Sequence, residues 1–594
     1  MTAEQKITPS SEEHEALLPA IRKADLPIEK PPIPSYEVES EDTLKEKKAL
    51  AASKNGSPNA LTGKTLPETA LNIGMQILTQ PALTLRKSVQ VASEVASALR
   101  GESPNKPDRR DRRFKDEAWR ENYFYHALAQ SYLAWRKGVN EWVDESDLAE
   151  DDEVRARFLV NLLTEAASPS NTLLNPAALK RAQQTNGKSL LEGMSHMVQD
   201  MVHNGGLPSQ VKDDSYRLGE NIAITPGKVV FRTDVLELIQ YIPQTTEVYT
   251  KPVLIIPPQI NKFYIFDLDK RSSMVEYLLS QGNQVFIVSW RNPGPEYRHW
   301  NLETYIQNLD NGIDCLLDIT ESDQVNVVGA CAGGVTLSAL LGYYAAKRVE
   351  KVSSATFLVS VFEASGKSLM SLFANDKSVA SAKERSQRQG VLDGKDMARV
   401  FAWLKPNEMI WMYWVNNYLM GKEPPTTTTL YWNNDSTRLP AGLHSDFLDI
   451  YEANALATPN KLKISGMPID ISKIKVDAYF VAGQEDHLAN WQGCYSSAQC
   501  FTGRKVFVLA GESHIQCILR PMRCKNSSYY VGSYQPERPE DWLALAQKQK
   551  GSWWGNWAVW VQKHGGEMKP APEHAGNSYY PALDNAPGQY VREK

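Results

Sequence analysis

The sequence predicts an α/β fold, a largely parallel sheet flanked by helices, with a mainly helical region ahead of it. Two observations predict this. From residue 251 onward, short runs rich in Val, Ile and Phe at 253–256, 285–288, 325–328, 355–359, 478–482 and 506–509 alternate with helical stretches, the grammar of βαβ units. Ahead of residue 251, long patterns of helical period dominate, for instance at 123–142 and 153–166.

Taken in order, residues 1–64 are rich in Pro, Ser, Lys and Glu and poor in aromatics. Such a composition buries too little surface to offset ordering entropy, so a disordered amino-terminal extension is expected there. Residues 65–250 are read as the helical domain. Its first pattern, 66–99, is interrupted by Pro81 and then broken by GESPNKPDRRDRR, a solvated linker; Trp119, Trp135 and Trp142 are its candidate packing anchors. Residues 251–594 form the expected catalytic domain. Within it, 302–317 carries Leu302, Tyr305, Ile306, Leu309, Ile313 and Leu316 at three- and four-residue spacing, as an amphipathic crossover helix should. Between the fourth and fifth strands, about 362–475 is an insertion rich in Trp, Tyr and Asn. It is too long for a loop and is expected to be a cap over the active site.

Composition narrows the function classes. The 594 residues carry a formal charge of −5 with both signs interspersed, so no basic field exists to gather nucleic acid. Six cysteines, at 315, 331, 494, 500, 517 and 524, show neither disulfide-scaffold density nor C-x-x-C metal spacing. No metal and no cofactor is expected. That cysteine usage makes a reducing cytoplasm the expected compartment, and because the amino terminus lacks the apolar core of a secretory signal and no run approaches the ~18 apolar residues of a membrane span, a protein soluble when made is expected.

The chemistry centres on VNVVGACAGG at 325–334, a strand followed by a tight turn and the helical stretch VTLSALLGYYAAKR. Glycines two before and two after Cys331 match the requirement of a nucleophile elbow, where strand and helix approach closely beneath a strained residue. The helix amino terminus under the sulfur favours its anion. Farther on, the strand at 478–482 runs into Asp486 and the strand at 506–509 into His514. That is the nucleophile, acid, histidine order of α/β-hydrolases, and it makes the predicted fold an α/β-hydrolase with a cap insertion. Cys331 is then the nucleophile, His514 its base and Asp486 the group that orients the imidazole. The oxyanion would meet the backbone N–H of Ala332 and a donor from the loop holding Ile260 and Asn261. His487 is a rival base beside Asp486, but neighbouring side chains on extended backbone point apart. His444, in the insertion, is read as a surface or capping residue, and Cys517 as helix packing. Trp553, Trp554, Trp557 and Trp560 form a stripe that either packs on the core or touches polymer, with packing favoured.

These residues resemble the polyhydroxyalkanoate synthases, in which cysteine replaces the serine of the lipase box. The resemblance rests on GACAGG at 329–334 together with IIPPQINKFYIFDL, VFIVSWRNP, FAWLKPNEMIWMYWVNNYLMG, YWNNDSTRLPA, AGQEDH and SHIQCIL, and runs from about residue 65 to the carboxyl terminus. NGGLPSQV, DVLELIQY and PPQINKFY are more similar to the class II, medium-chain members. The family's nucleophile, aspartate and histidine fall on Cys331, Asp486 and His514. The chain departs from the family pattern near the histidine, where Glu512-Ser513-His514 stands for Ser-Gly-His and Arg520-Pro521-Met522 for Asn-Pro-Pro. The resemblance implies polymerisation of (R)-3-hydroxyacyl groups from coenzyme A thioesters into polyester with release of coenzyme A. It also implies a homodimer at the surface of polyester granules. The alternatives are a thioesterase or polyester depolymerase of the same fold, and a non-catalytic granule-associated subunit.

Overall fold

Runs of β-branched and aromatic side chains without polar alternation can be strands only where both faces are covered. Six such runs line up at the centre of one ten-stranded sheet in the computed structural model, which describes residues 66–108, 111–212, 215–365, 376–533 and 536–594. The expected disordered extension, residues 1–64, lies outside the described residues. In chain order the strands of the sheet are β1 Gly227–Arg232, β2 Leu236–Tyr241, β3 Val253–Ile256, β4 Val285–Trp290, β5 Val325–Ala330, β6 Val352–Leu358, β7 Asp477–Gly483, β8 Lys505–Ala510, β9 Ser528–Gly532 and β10 Gln547–Lys550. They stand side by side as β1-β2-β4-β3-β5-β6-β7-β8-β9-β10. From β4 to β8 every pairing is parallel, while the two strands at each edge pair antiparallel. This is the α/β-hydrolase architecture. Residues of β4 and β5 are buried throughout, and the one polar side chain inside β5, Asn326, is satisfied by Ser354 Oγ at 2.6 Å and the His564 carbonyl at 3.1 Å.

Helices follow local signals. α1, Leu66–Thr79, gives way to α2, Pro81–Leu99, at the proline, which has no N–H to continue the ladder but fits a first helical turn. Asn122 caps α3, Tyr123–Glu145, by accepting from the N–H groups of Phe124 and Tyr125. With α4, Glu150–Ala166, these helices enclose two small cores, one of Phe114, Trp119 and Tyr132 and one of Trp142, Val143 and Val160; Trp135 is half-buried against the first. α5, Lys188–His203, turns Ser189, Gly193 and Asp200 inward. Along the sheet, α6, Leu302–Thr320, buries the six apolar residues of its predicted face, started by an Asn301–Thr304 capping box. α7, Ala332–Lys347, follows β5 and is buried over most of its length.

The insertion between β6 and β7 contains, among the described residues, the helices Asp376–Gln389, Gly394–Leu404, Thr428–Asn434 and Ala441–Glu452, and two π-helical turns, Asn407–Trp411 and Trp414–Leu419. It rests on loops that leave the carboxyl ends of β3 and β4. Thr437 donates its N–H to Ile260 O at 3.0 Å and its hydroxyl to Gln259 O at 2.6 Å, while the N–H groups of Gly442 and Leu443 reach Arg298 O and Trp300 O at 2.9 and 2.8 Å. α5 packs against it from the other side, with Tyr418 Oη donating to Asp200 Oδ2 at 2.8 Å. Among the described residues no helix is long and apolar enough to cross a membrane, and no group of three or more His, Cys, Asp or Glu is placed to hold a metal ion.

Candidate active site

β5 ends at Ala330, α7 begins at Ala332, and the single residue between them is Cys331, with φ 49° and ψ −121°. A side chain with a β-carbon is strained at positive φ and stays there only where its surroundings enforce it. Here they do. A Cβ at Gly333 would lie 2.3 Å from Ile256 O and 2.6 Å from Pro257 O, and one at Gly329 would lie 2.8 Å from the Gly334 Cα, so the turn closes only with glycine at both places. Cys331 donates its own N–H to Leu358 O at 2.9 Å, and its carbonyl accepts from Gly334 at 2.9 Å and Val335 at 3.3 Å. Ala332 and Gly333 are left as first-turn donors that the helix cannot satisfy internally. The thiol is half-buried, open enough to react.

Asp486 and His514 arrive at the same place from the carboxyl ends of β7 and β8. Asp486 has no exposed side-chain surface; its Oδ1 accepts from the N–H groups of Leu488 at 2.8 Å and Ala489 at 3.0 Å, and its Oδ2 lies 2.6 Å from His514 Nδ1. His514 opens the short helix α8, His514–Ile518. Its second ring nitrogen, Nε2, remains for the thiol. Burial opposes the charged imidazole, but the Asp486 carboxylate and then the Cys331 sulfur outweigh it and raise the His514 pKa well above the ordinary histidine value. The structure therefore brings Cys331, His514 and Asp486 together at the carboxyl edge of the sheet, the third of them buried behind the second.

The other candidates make no hydrogen bond to Cys331 or His514 among the described residues, although His487 and Cys494 lie within electrostatic reach of the site. His487 has a buried Nδ1 without a hydrogen-bond partner, and burial and then the Lys405 charge push its pKa down to about 4. His444 is not at the surface: it is 8% exposed, with Nδ1 3.0 Å from Ser386 Oγ between two helices of the insertion, and burial pushes its pKa down to about 4. The expectation failed because a histidine on a half-buried helix has no local mark that distinguishes its wet face from its dry one. Burial raises Cys494 and Cys517 well above an ordinary thiol and pushes Cys315 and Cys500 up to about 12. Trp553, Trp554 and Trp557 are at most 1% exposed, which is the packing role, while Trp560 is half-buried.

Ile260 sits half-buried on the loop after β3, its carbonyl taken by Thr437. Sequence reasoning missed what fixes this loop. Gln259 Nε2 donates to Thr336 Oγ1 at 2.9 Å, which ties the loop to α7, and Trp290 Nε1 donates to Pro257 O at 2.9 Å. It also missed Tyr451, 41% exposed in the last turn of the Ala441–Glu452 helix, which lies within electrostatic reach of Cys331. No local signal marks these residues, because each is defined by its partner across the fold.

Comparison with known proteins agrees with this architecture. Residues 110–278 match the family described as "Poly-beta-hydroxybutyrate polymerase (PhaC) N-terminus", and residues 252–521 match the alpha/beta hydrolase fold. The chain is 45% identical over 531 residues to poly(3-hydroxyalkanoate) polymerase 1 of Ectopseudomonas oleovorans, covering 89% of this chain and 95% of that one. It is 44% identical to polymerase 2 of the same organism with the same coverage, and 34% identical to the polymerase subunit of Cupriavidus necator over 82% of this chain and 83% of that one. With identity of this extent along nearly the whole length of its relatives, the chain belongs to the poly(3-hydroxyalkanoate) polymerases, acyltransferases built on the α/β-hydrolase fold.

Proposed function

We propose that polymerisation runs through Cys331 as a covalent nucleophile, with His514 as its base and Asp486 as the group that orients and charges that base. The substrate is an (R)-3-hydroxyacyl-coenzyme A. The Cys331 proton passes to His514 Nε2, the thiolate adds to the thioester carbonyl, and coenzyme A leaves with the proton returned from His514. The 3-hydroxyl of a further hydroxyacyl-coenzyme A then gives its proton to His514 and attacks the Cys331 thioester. An ester bond forms, Cys331 is freed, and the lengthened chain, now on coenzyme A, returns to Cys331 by the first step. Thiol–thioester exchange is nearly isoenergetic, which suits a chain that must be handed back and forth many times. The oxyanion is met by the N–H of Ala332 and a donor of the Ile260 loop, which the Gln259–Thr336 bond holds against α7. The insertion over this edge of the sheet keeps water from competing as nucleophile.

What carries the reading is the 2.6 Å contact between a fully buried carboxylate and an imidazole coupled to a cysteine at positive φ. Similarity to the class II members favours medium-chain acyl groups. Work at the surface of the insoluble product, in the cytoplasm and as a homodimer, belongs to the same reading. Purified protein supplied with (R)-3-hydroxyacyl-coenzyme A should release coenzyme A and form high-mass polyester, and iodoacetamide at neutral pH should label Cys331 ahead of the four thiols that burial holds protonated. Release of monomeric free acid alone, or labelling of Cys331 no faster than in His514→Ala, would defeat it.

A further inference from the structure

A helix of five residues cannot hold its own geometry, because the nucleation cost is not repaid over a single turn. α8, which presents His514, is such a helix, and its N-cap Ser513 makes no side-chain capping bond. Its position must be imposed from outside. From behind it is imposed by the tryptophan-rich segment: Trp553 Nε1 donates to Cys517 O at 2.8 Å, Trp554 Nε1 to Ile518 O at 3.1 Å, and the Ser552 hydroxyl to Arg520 O. These bonds fix the carboxyl end of α8 and leave its amino end, where the imidazole is, to another contact.

That contact is an ion pair between the residues on either side of the helix. Glu512 Oε1 and Arg520 Nη2 are 2.7 Å apart, the glutamate side chain 8% exposed and the arginine 26%. The ion pair spans α8 from two residues before His514 to six after it. Glu512 is also anchored through its backbone: its carbonyl accepts from Glu485 N–H at 3.3 Å, and a Cβ on Gly483 would come within 2.4 Å of that oxygen. The loop of Asp486 and the loop of His514 thus meet at Glu512. The two opposite charges meet across the helix that carries His514, one on each side of it in sequence. Removing Arg520 leaves a carboxylate that burial already disfavours without its counterion, to be relieved by proton uptake or by outward movement of the loop, and removing Glu512 frees Arg520 to turn toward solvent; either way the tie across the helix is lost.

We propose that Glu512 and Arg520 act as a clamp that positions His514 against Asp486 and Cys331. The proposal rests on the triad reading above. Their side chains pair with each other and make no hydrogen bond or ion pair with Cys331 or His514 among the described residues, so both are positioning residues, and their removal should appear in turnover before substrate binding. Glu512→Gln and Arg520→Asn should each lower kcat about 10- to 100-fold, the scale of a misplacement on the order of 1 Å, with KM within about threefold of wild type. The rate of Cys331 alkylation at pH 7 should fall in parallel. Arg520→Lys, which keeps the charge without the planar fork, should fall between. The double variant Glu512→Ser/Arg520→Asn, with the pair neutral again, should recover kcat to within about fivefold and also covers the case in which a single variant does not fold. The clamp is refuted if the single variants lose only thermal stability while kcat per alkylatable site stays at the wild-type value, or if the double variant is no better than the worse single. His514→Ala separates this from failure of the triad. Wild-type turnover there removes both readings, whereas an inactive His514→Ala beside fully active clamp variants removes the clamp alone.

Discussion

Replacing Asp486 by Asn isolates the electrostatic part of the triad from its scaffold. In the native loop Oδ1 accepts two backbone N–H groups, from Leu488 and Ala489, and Oδ2 meets His514 Nδ1. An asparagine can keep both backbone bonds only by turning its oxygen toward them, which points its NH2 group at Nδ1. A donor there obliges Nδ1 to accept, the ring proton moves to Nε2, and the edge facing Cys331 can no longer take the thiol proton. The imidazolium also loses the adjacent carboxylate that outweighs its burial. Loss of orientation and charge at such a histidine is worth about 10³- to 10⁴-fold in turnover, or roughly 4–5.5 kcal/mol of barrier. The loop bonds survive, so the midpoint of thermal unfolding should change by only a few degrees. Initial rates of coenzyme A release from a (R)-3-hydroxyacyl thioester, measured beside that midpoint, test the claim. Turnover within about tenfold of wild type in a folded Asp486→Asn protein would show that the 2.6 Å contact is structural only.

Two further outcomes follow from the packing. Gly333→Ala would place a methyl 2.3 Å from one backbone carbonyl and 2.6 Å from another, neither of which can swing aside as a side chain can, so unfolding in urea should show a loss of about 2–4 kcal/mol and activity should nearly vanish. Asp267 is a buried carboxyl whose pKa burial raises to about 7, the hydroxyls of Thr225 and Ser273 only partly offsetting it. Its folded value lies above the unfolded value of about 3.9, so its proton-bound form stabilises the fold below pH 4 and that contribution is lost as pH rises toward 7, to about 4 kcal/mol. Asp267→Asn, with its amide turned toward the two hydroxyls, should flatten the fall in unfolding free energy between pH 4 and 7, and an unchanged slope would count against the assignment.

The parts of this fold that a sequence can show are those whose cause is local. Val285–Trp290 and Val325–Ala330 read as strands because side chains buried on both faces are predominantly apolar, and the six central strands all carry that mark. The edge strand Gln547–Lys550 does not: QKQK is exposed along its whole length, and it is a strand only because its backbone pairs with Ser528–Gly532. Cys331, Asp486 and His514 were legible because each follows the carboxyl end of a strand, so topology alone delivers them to one edge. Gln259 on Thr336, His444 on Ser386 and Glu512 on Arg520 were not, since each pair joins residues whose proximity is created by the rest of the fold. Glu512 and Arg520 were visible as oddities, but their complementarity was not.

In the proposed mechanism one imidazole serves two nucleophiles of different acidity, and the same electrostatics bear on how it could do so. In the free enzyme Cys331 is among the groups that raise the His514 pKa, after Asp486. An imidazole raised in this way favours its protonated form, and a protonated imidazole cannot deprotonate the 3-hydroxyl that the proposed chain growth requires. Acylation resolves the conflict, because a thioester sulfur is neutral and stops stabilising the imidazolium, while Asp486 remains to keep it basic. His514 should therefore titrate lower in the acylated enzyme than in the free one and recover its readiness to accept a proton when the hydroxyl arrives. Carboxamidomethylation of Cys331 imitates the neutral sulfur, so the ring of His514, followed by NMR against pH, should show a lower midpoint in the alkylated protein than in the free one. An unchanged midpoint would mean that the sulfur does not carry the coupling, and the alternation between thiolate and hydroxyl would need another source.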